Sequence, residues 1–284
     1  MQQSRKILKI ILIIVTALIL IFGSLGVWLG RGSLTEAKMK VFEVVPYPLA
    51  LVNGRPILMR DFILRLKASQ KMAENKIIPS PATKNDIYNT MVLEEEIRQI
   101  AAFRGVFVGR KQIEQEFADR AGEPEFVETL KNYGFSEANF KNEILQPQLL
   151  LVNLKVWFCG QKELNAKAYN LAQAIVEKEA LGDNFGNLAE SFSQESGSKQ
   201  LGGDLGFVQP TELLLELREP VELLKDGEVK ILPSRLGLHI IKQEAQAGSE
   251  KHLRQIFLQT ENFDSWLSGQ TQNFNVKKLV NINN

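Results

Sequence analysis

The chain has 284 residues, and its 34 lysines and arginines nearly balance its 33 aspartates and glutamates, which leaves a formal net charge of +1. Such a balance produces no large electric field, so we expect no nucleic-acid partner. The single cysteine, Cys159, excludes an internal disulfide, and the two histidines, His239 and His252, leave little material for a zinc site. Since no phosphate-binding loop or dinucleotide glycine fingerprint follows a predicted strand, we expect neither a cofactor nor a metal.

The first predicted element is an apolar helix from Ile10 to Leu29. At about 1.5 Å per residue it would be about 30 Å long, the thickness of the hydrocarbon core of a bilayer. Basic residues before the helix favour a cytoplasmic N-terminus. Residues 1–31 are therefore predicted to be a cytoplasmic N-terminus and a single-pass anchor that contacts the lipid bilayer through residues 10–29. The alternative is a cleaved signal peptide, although the apolar run is long and lacks a clear cleavage box. The following domains would lie on the extracytoplasmic side of the cell membrane.

Residues 32–154 are predicted to form a mainly helical domain. It opens with a strand, a tight turn at Asn53-Gly54 and a second strand. The helices that follow carry apolar residues at helical spacing and end at glycine or proline. The first of these helices is predicted to begin at Asp61. Three more are predicted at Asp86–Gly105, Lys111–Ala121 and Glu125–Tyr133. A fifth helix is predicted to begin at Ser136 and to be interrupted at Pro147.

Residues 155–245 change character, because short strands alternate with helices. Strands are predicted at Lys155–Phe158, Phe207–Val208, Val229–Leu232 and Leu238–Gln243, and helices at Ala166–Lys178, Phe185–Phe192 and Glu212–Leu224. This order indicates a small four-stranded antiparallel or mixed sheet surrounded by helices. Residues 246–284 are predicted to be an extension with one more strand, a short helix and a final strand. The fold class predicted for the whole chain is α+β with an N-terminal transmembrane helix.

Four motifs of the second region stand in the order and spacing typical of the parvulin family of peptidyl-prolyl cis-trans isomerases, and the region resembles that family. They are Phe185–Ser193, Gly202–Phe207, Leu224–Val229 and Gly237–Lys242. Residues 32–154 are similar to the N-terminal chaperone domain of SurA- and PrsA-type extracytoplasmic foldases. That similarity is carried by the hairpin at Val52–Gly54, the helix near Glu95, and the segments Gly105–Val108 and Tyr133–Ser136.

The parvulin resemblance implies an apolar slot that holds a prolyl ring. Leu213 and Leu217 would line it, where the family usually carries Met and Phe, and Phe207 would lie at or below its floor. Glu195 stands where the family has an Asp or Cys that faces the substrate carbonyl, and Ser193 would orient it. Each of the leucines is also compatible with an ordinary core position, and Glu195 with a solvated loop.

His239 matches the active-site histidine of the family, where it would be one of a pair of imidazoles. The partner histidine of the first strand is replaced in this chain, because Lys155 stands at that place. Lysine cannot alternate between donor and acceptor near neutral pH as imidazole does. The later strand from His252 to Ile256 also resembles the first strand of the family, and there Gln255 takes the place of the histidine.

Two functions follow from the resemblance. The first is a membrane-anchored isomerase that speeds X-Pro isomerisation in exported polypeptides. The second is a catalytically weak or inactive holdase of parvulin fold that binds unfolded polypeptides. In both cases the implied partners are unfolded or partly folded exported chains, in the first case chains that contain proline, and a homo-oligomer is possible. A third hypothesis is a scaffold in an envelope complex, and no feature of the sequence supports it.

Overall fold

A computed structural model of the protein describes Trp28, residues 34–123 and residues 125–282. These residues form a mixed α+β protein with many helices and two small sheets. They divide into two compact units. The first unit takes the described residues of Met1–Arg98, Glu114–Leu145 and Asn273–Asn284, and the second takes Gln99–Ile113 and Gln146–Gln272.

The predicted fold class is wrong in its transmembrane helix. Among the described residues, no helix has the length and apolar character that a bilayer-spanning helix requires. The segment 10–29, which was predicted to span the membrane, lies outside the described residues apart from Trp28.

The elements are numbered here in chain order. The helices are α1 Glu36–Val44, α2 Met59–Glu74, α3 Lys84–Phe103, α4 Arg110–Ala121, α5 Phe126–Asn132, α6 Glu137–Phe140, α7 Gln146–Gly160, α8 Ala166–Ala180, α9 Phe185–Phe192, α10 Ser196–Lys199, α11 Leu215–Glu222 and α12 Phe263–Thr271. A π-helical turn covers Lys141–Leu145, and a 3₁₀ turn covers Pro210–Glu212. The strands are β1 Pro48–Val52, β2 Arg55–Leu58, β3 Asp204–Val208, β4 Val229–Pro233, β5 Leu238–Ala247, β6 Glu250–Leu258 and β7 Val276–Lys278.

The first unit contains a three-stranded antiparallel sheet in the order β2-β1-β7. The β1–β2 turn has positive φ angles at Asn53 (50°) and Gly54 (83°), as the Asn-Gly pair predicts for a two-residue hairpin. The predicted final strand of the chain is β7, which pairs with β1. Apolar side chains of the sheet and of the neighbouring helices form a fully buried core, whose largest members are Phe42, Leu49, Met59, Phe62 and Ile63.

The second unit contains a four-stranded antiparallel sheet in the order β3-β6-β5-β4. The strand predicted in the C-terminal extension is β6, and it lies between β3 and β5 rather than at an edge. In the centre of the sheet Ile240 of β5 pairs with Ile256 of β6, and both side chains are fully buried. Helices α8 and α9 cover one face through Ala172, Ile175 and other apolar residues.

The prediction of a strand at Lys155–Phe158 is wrong, because these residues belong to helix α7. The buried side chains of α7 include Leu150, Leu154 and Phe158, which recur every four residues as on one face of a helix. A short apolar run does not by itself distinguish a buried strand from a segment of a buried helix.

Candidate active site

The second unit contains a cavity of about 430 Å³, called the site cavity below. Its lining brings together four residues that the sequence singled out: Glu195, Leu213, Leu217 and His239. The other lining residues are Leu205, Val208, Glu212, Leu214, Leu236, Gln255 and Phe257. The cavity is therefore mainly apolar, with a few polar groups that converge on it, as is usual for binding sites of small groups.

The apolar wall of the site cavity is built where β3 leads through the 3₁₀ turn into α11. Gln209 and Glu212 form a capping box at this turn, in which the Glu212 carboxylate accepts a hydrogen bond of 2.8 Å from the Gln209 N–H. Leu217 is 3% exposed and packs with Val221 in the core beneath α11. Leu217 is thus both a core residue and part of the wall, whereas Leu213 is only partly buried.

His239 lies on β5 and is 6% exposed. Its Nε2 is 2.8 Å from the hydroxyl of Ser234, and its Nδ1 is 3.2 Å from Oε1 of Gln255 on β6. The Ser234 hydroxyl also accepts a hydrogen bond of 3.0 Å from the N–H of Leu236. Since Oε1 of Gln255 can only accept, the neutral imidazole carries its proton on Nδ1, and Ser234 donates to Nε2. The result is a directed chain of hydrogen bonds from Leu236 to Gln255.

Burial lowers the pKa of His239 because it disfavours the charged imidazolium. The hydrogen bond with Gln255 and the negative charge of Glu216 act in the opposite direction but do not outweigh burial. The imidazole is therefore neutral near pH 7. Both of its nitrogens are engaged inside the protein, so His239 holds Ser234 and Gln255 in place.

Glu195 is the N-cap of the short helix α10. One carboxylate oxygen accepts from the N–H of Gly197, and the other accepts from the N–H and the hydroxyl of Ser198, at 2.9 and 2.7 Å. The backbone hydrogen bond from Ser198 is the main cause that lowers the pKa of Glu195, and the bonds from the Ser198 hydroxyl and Gly197 add to it. The site cavity is thus lined by a fixed, ionised carboxylate.

Three residues that the sequence singled out are not among those that line the site cavity. Ser193 is 1% exposed, and its hydroxyl accepts a hydrogen bond of 3.2 Å from the Phe257 N–H, which links the segment before Glu195 to β6. The Phe207 ring is half exposed and stacks on His252 with 5.1 Å between ring centroids. Lys155 lies on α7 with its Nζ 5.3 Å from the centroid of the Phe263 ring.

Several residues that line the cavity or are bonded to its lining were not singled out by the sequence as site residues. Ser234 and Leu236 belong to a segment in which the sequence signals only a turn. Gln255 had a signal, because the segment from His252 to Ile256 resembles the first strand of the parvulin family and places Gln255 at the histidine position. The structure brings Gln255, and not Lys155, next to His239.

Comparisons with known proteins find a family and several curated proteins that are similar to this chain. Residues 150–245 match the family model of the rotamase described as the PPIC-type PPIase domain. Chaperone SurA of Pseudomonas aeruginosa is 37% identical over 94 residues, which cover 32% of this chain and 22% of that protein. Foldase protein PrsA of Staphylococcus epidermidis is 29% identical over 171 residues, which cover 50% of this chain and 53% of that protein. The chain thus spans between about a fifth and a half of these curated relatives.

A solved structure, the peptidylprolyl isomerase PrsA of Bacillus anthracis, is 20% identical and covers 64% of this chain and 84% of its own, with a TM-score of 0.22. Residues 150–245 are similar to the PPIC-type PPIase family, and this match covers less than half of the chain. The curated relatives that this chain matches include SurA chaperones and PrsA foldases.

Proposed function

We propose that this protein is a foldase that catalyses cis-trans isomerisation of X-Pro bonds in exported polypeptides. The observation that carries the proposal is the site cavity, in which the apolar wall, the Glu195 carboxylate and the neutral His239 meet inside a domain that matches the PPIC-type family. No covalent step is needed, because the reaction is a rotation about one amide bond over a barrier of about 20 kcal/mol.

The apolar wall would act by removing water from the X-Pro bond. A planar amide is stabilised by resonance that separates charge, and the twisted amide loses this resonance. An environment of leucine side chains therefore favours the twisted form relative to the planar form. Each 1.4 kcal/mol of such preference speeds the rotation about tenfold.

Glu195 would act through its charge. The carbonyl oxygen of a planar amide carries more negative charge than that of a twisted amide, so a fixed carboxylate beside it destabilises the planar ground state. Because three donors already hold Glu195, the carboxylate does not need to reorganise during the rotation. His239 would be a positioning residue, since it is anchored by Ser234 and keeps Gln255 in the wall of the site.

The test is exchange NMR on short Ala-Pro peptides with the purified full-length protein. We expect faster cis-trans exchange with the parent protein and slower exchange with Leu213→Ala and Glu195→Gln. Leu223→Ala is a matched control, because Leu223 lies in the same unit, is 68% exposed and does not line the site cavity. No acceleration by the parent protein would refute catalysis, and equal acceleration by all variants would refute the assignment of the site.

A second function, a holdase with little turnover, is favoured by Gln255. A glutamine supplies an acceptor to His239 but does not titrate as the partner histidine of the family would. The test is whether the protein delays aggregation of an unfolded client that contains no proline. Delayed aggregation without faster proline exchange would establish this function in place of the first.

We also propose that the protein acts on the extracytoplasmic side of the cell membrane on unfolded or partly folded exported chains. The similarity to SurA and PrsA proteins supports this location. Protease added to cells with a permeabilised envelope but an intact cytoplasmic membrane should digest the two folded units. Resistance until the cytoplasmic membrane is lysed would contradict the proposal.

A further inference from the structure

The charged side chains that line the site cavity are all acidic. Glu195 and Glu212 contribute carboxylates, and none of the described residues of the lining is a lysine or an arginine. Glu195 is held by two N–H groups and a hydroxyl, and Glu212 by the N–H of Gln209. These partners carry no formal charge, so none of them forms an ion pair with either carboxylate.

The cations close to the wall have other partners. The guanidinium of Arg235 is 3.8 Å from the carboxylate of Glu216, and Nε of Arg218 donates to the Leu213 carbonyl at 3.1 Å. Within the described part of the chain, the side chain of Arg235 makes no hydrogen bond or ion pair with Glu195 or Glu212. Among the described lining residues, no lysine or arginine therefore offsets the charge of the two carboxylates.

The cavity is small compared with the range of electrostatic interactions in solution. A volume of about 430 Å³ corresponds to about 9 Å across if treated as a sphere, which is less than the Debye length of about 10 Å at 0.1 M salt. The leucine-rich lining further strengthens the field because it excludes water. A charged side chain next to a bound proline would therefore interact with Glu195 and Glu212.

We propose that the site selects X-Pro segments in which the residue before proline is lysine or arginine, and disfavours aspartate, glutamate or a phosphorylated residue at that place. This inference rests on the proposed isomerase function and names its substrate class. For partly exposed charges we expect about a two- to fivefold effect on kcat/KM from each carboxylate. The preference should disappear in 1 M salt, where the Debye length is about 3 Å.

The test uses the full-length protein and three peptides, Ala-Lys-Pro-Ala, Ala-Gln-Pro-Ala and Ala-Glu-Pro-Ala, with exchange NMR at 20 mM and 1 M salt. We expect kcat/KM to fall from the lysine to the glutamine to the glutamate peptide at low salt and to converge at high salt. Glu212→Gln should reduce the lysine-to-glutamate ratio by about two- to fivefold, and Glu212→Lys should reduce it further. Glu190→Gln is the matched control, because Glu190 is an exposed glutamate of α9 that does not line the site cavity.

The outcomes separate this inference from the function on which it rests. If no peptide exchanges faster with the protein, the isomerase function itself is refuted. If all three peptides exchange faster by the same factor at low salt, the isomerase function stands and the substrate preference is overturned. A lysine preference that persists in the double variant Glu195→Gln, Glu212→Gln would overturn the assignment to these carboxylates.

Discussion

Ser234 joins the turn after β4 to the imidazole of His239, so the variant Ser234→Ala tests the hydrogen-bond chain of the site. Ser234 is fully buried, and its hydroxyl accepts from the Leu236 N–H and donates to Nε2 of His239. Without the hydroxyl, either tautomer of His239 leaves one ring nitrogen buried and unpartnered. A buried polar group without a partner costs about 1–3 kcal/mol, so we expect the free energy of unfolding to fall by that amount.

The measurement is urea unfolding followed by tryptophan fluorescence. Two of the three tryptophans of the chain, Trp157 and Trp266, lie in the second unit with ring centroids 5.7 Å apart, so their emission reports on this unit. Ser191→Ala is the control, because the exposed Ser191 hydroxyl donates only to the Asn187 carbonyl of its own helix, at 2.8 Å. We expect this control to stay within about 0.5 kcal/mol of the parent. If Ser234→Ala were as stable as the control, the directed chain through His239 would be refuted.

Three further predictions concern His239, Gln255 and β6. The pKa of His239 is lowered in the folded state from its ordinary value of 6.5. Below pH 6.5 the unfolded chain therefore binds a proton at this histidine more readily than the folded chain does. The free energy of unfolding should then fall as the pH drops below 6.5, by at most about 1.4 kcal/mol per pH unit. Urea unfolding at pH 7.5, 6.5 and 5.5 should show this slope in the parent and a smaller one in His239→Gln; identical slopes would contradict the prediction. Gln255→Leu should slow proline exchange because it leaves Nδ1–H of His239 without an acceptor, whereas Gln255→His keeps an acceptor and should retain the parental rate. Exchange NMR decides this, and an unchanged rate in the leucine variant would show that Gln255 has no positioning role. A chain that ends at residue 245 lacks β6, so β3 and β5 have no strand between them. In urea unfolding, this chain should lose the cooperative transition of the second unit. A sharp transition in the shortened chain would disprove the need for β6.

The parts of the fold that depend on local signals could be predicted from the sequence. The Asn53-Gly54 turn is one example, because Asn and Gly tolerate the positive φ angles that a two-residue hairpin needs. Leu238–Gln243 is another, since it is the buried first part of β5. The strand predicted at Lys155–Phe158 failed, because an apolar run of that length fits a buried helix equally well.

The same distinction holds for the site. Motifs that resemble the parvulin family pointed to Glu195, Leu213, Leu217 and His239, and the structure places all four around one cavity. What the motifs did not give is the way in which these side chains are held. The three donors on Glu195 come from the turn of α10, and the partner of His239 comes from a strand that lies beyond the matched residues 150–245.

The identity of that partner depends on strand register, which no local pattern contains. In the antiparallel pair of β5 and β6, His239 is opposite Phe257, so Gln255 is its diagonal neighbour on the same face of the sheet. A shift of the register by one residue would turn Gln255 to the other face, and no residue of β6 would then accept from Nδ1 of His239 in the same way. The register is fixed by the burial of Ile240 against Ile256 and of Leu238 against Leu258, that is, by the core on the side that α8 and α9 cover. The packing of the core thus determines which side chain completes the site, and a C-terminal strand outside the family match supplies it.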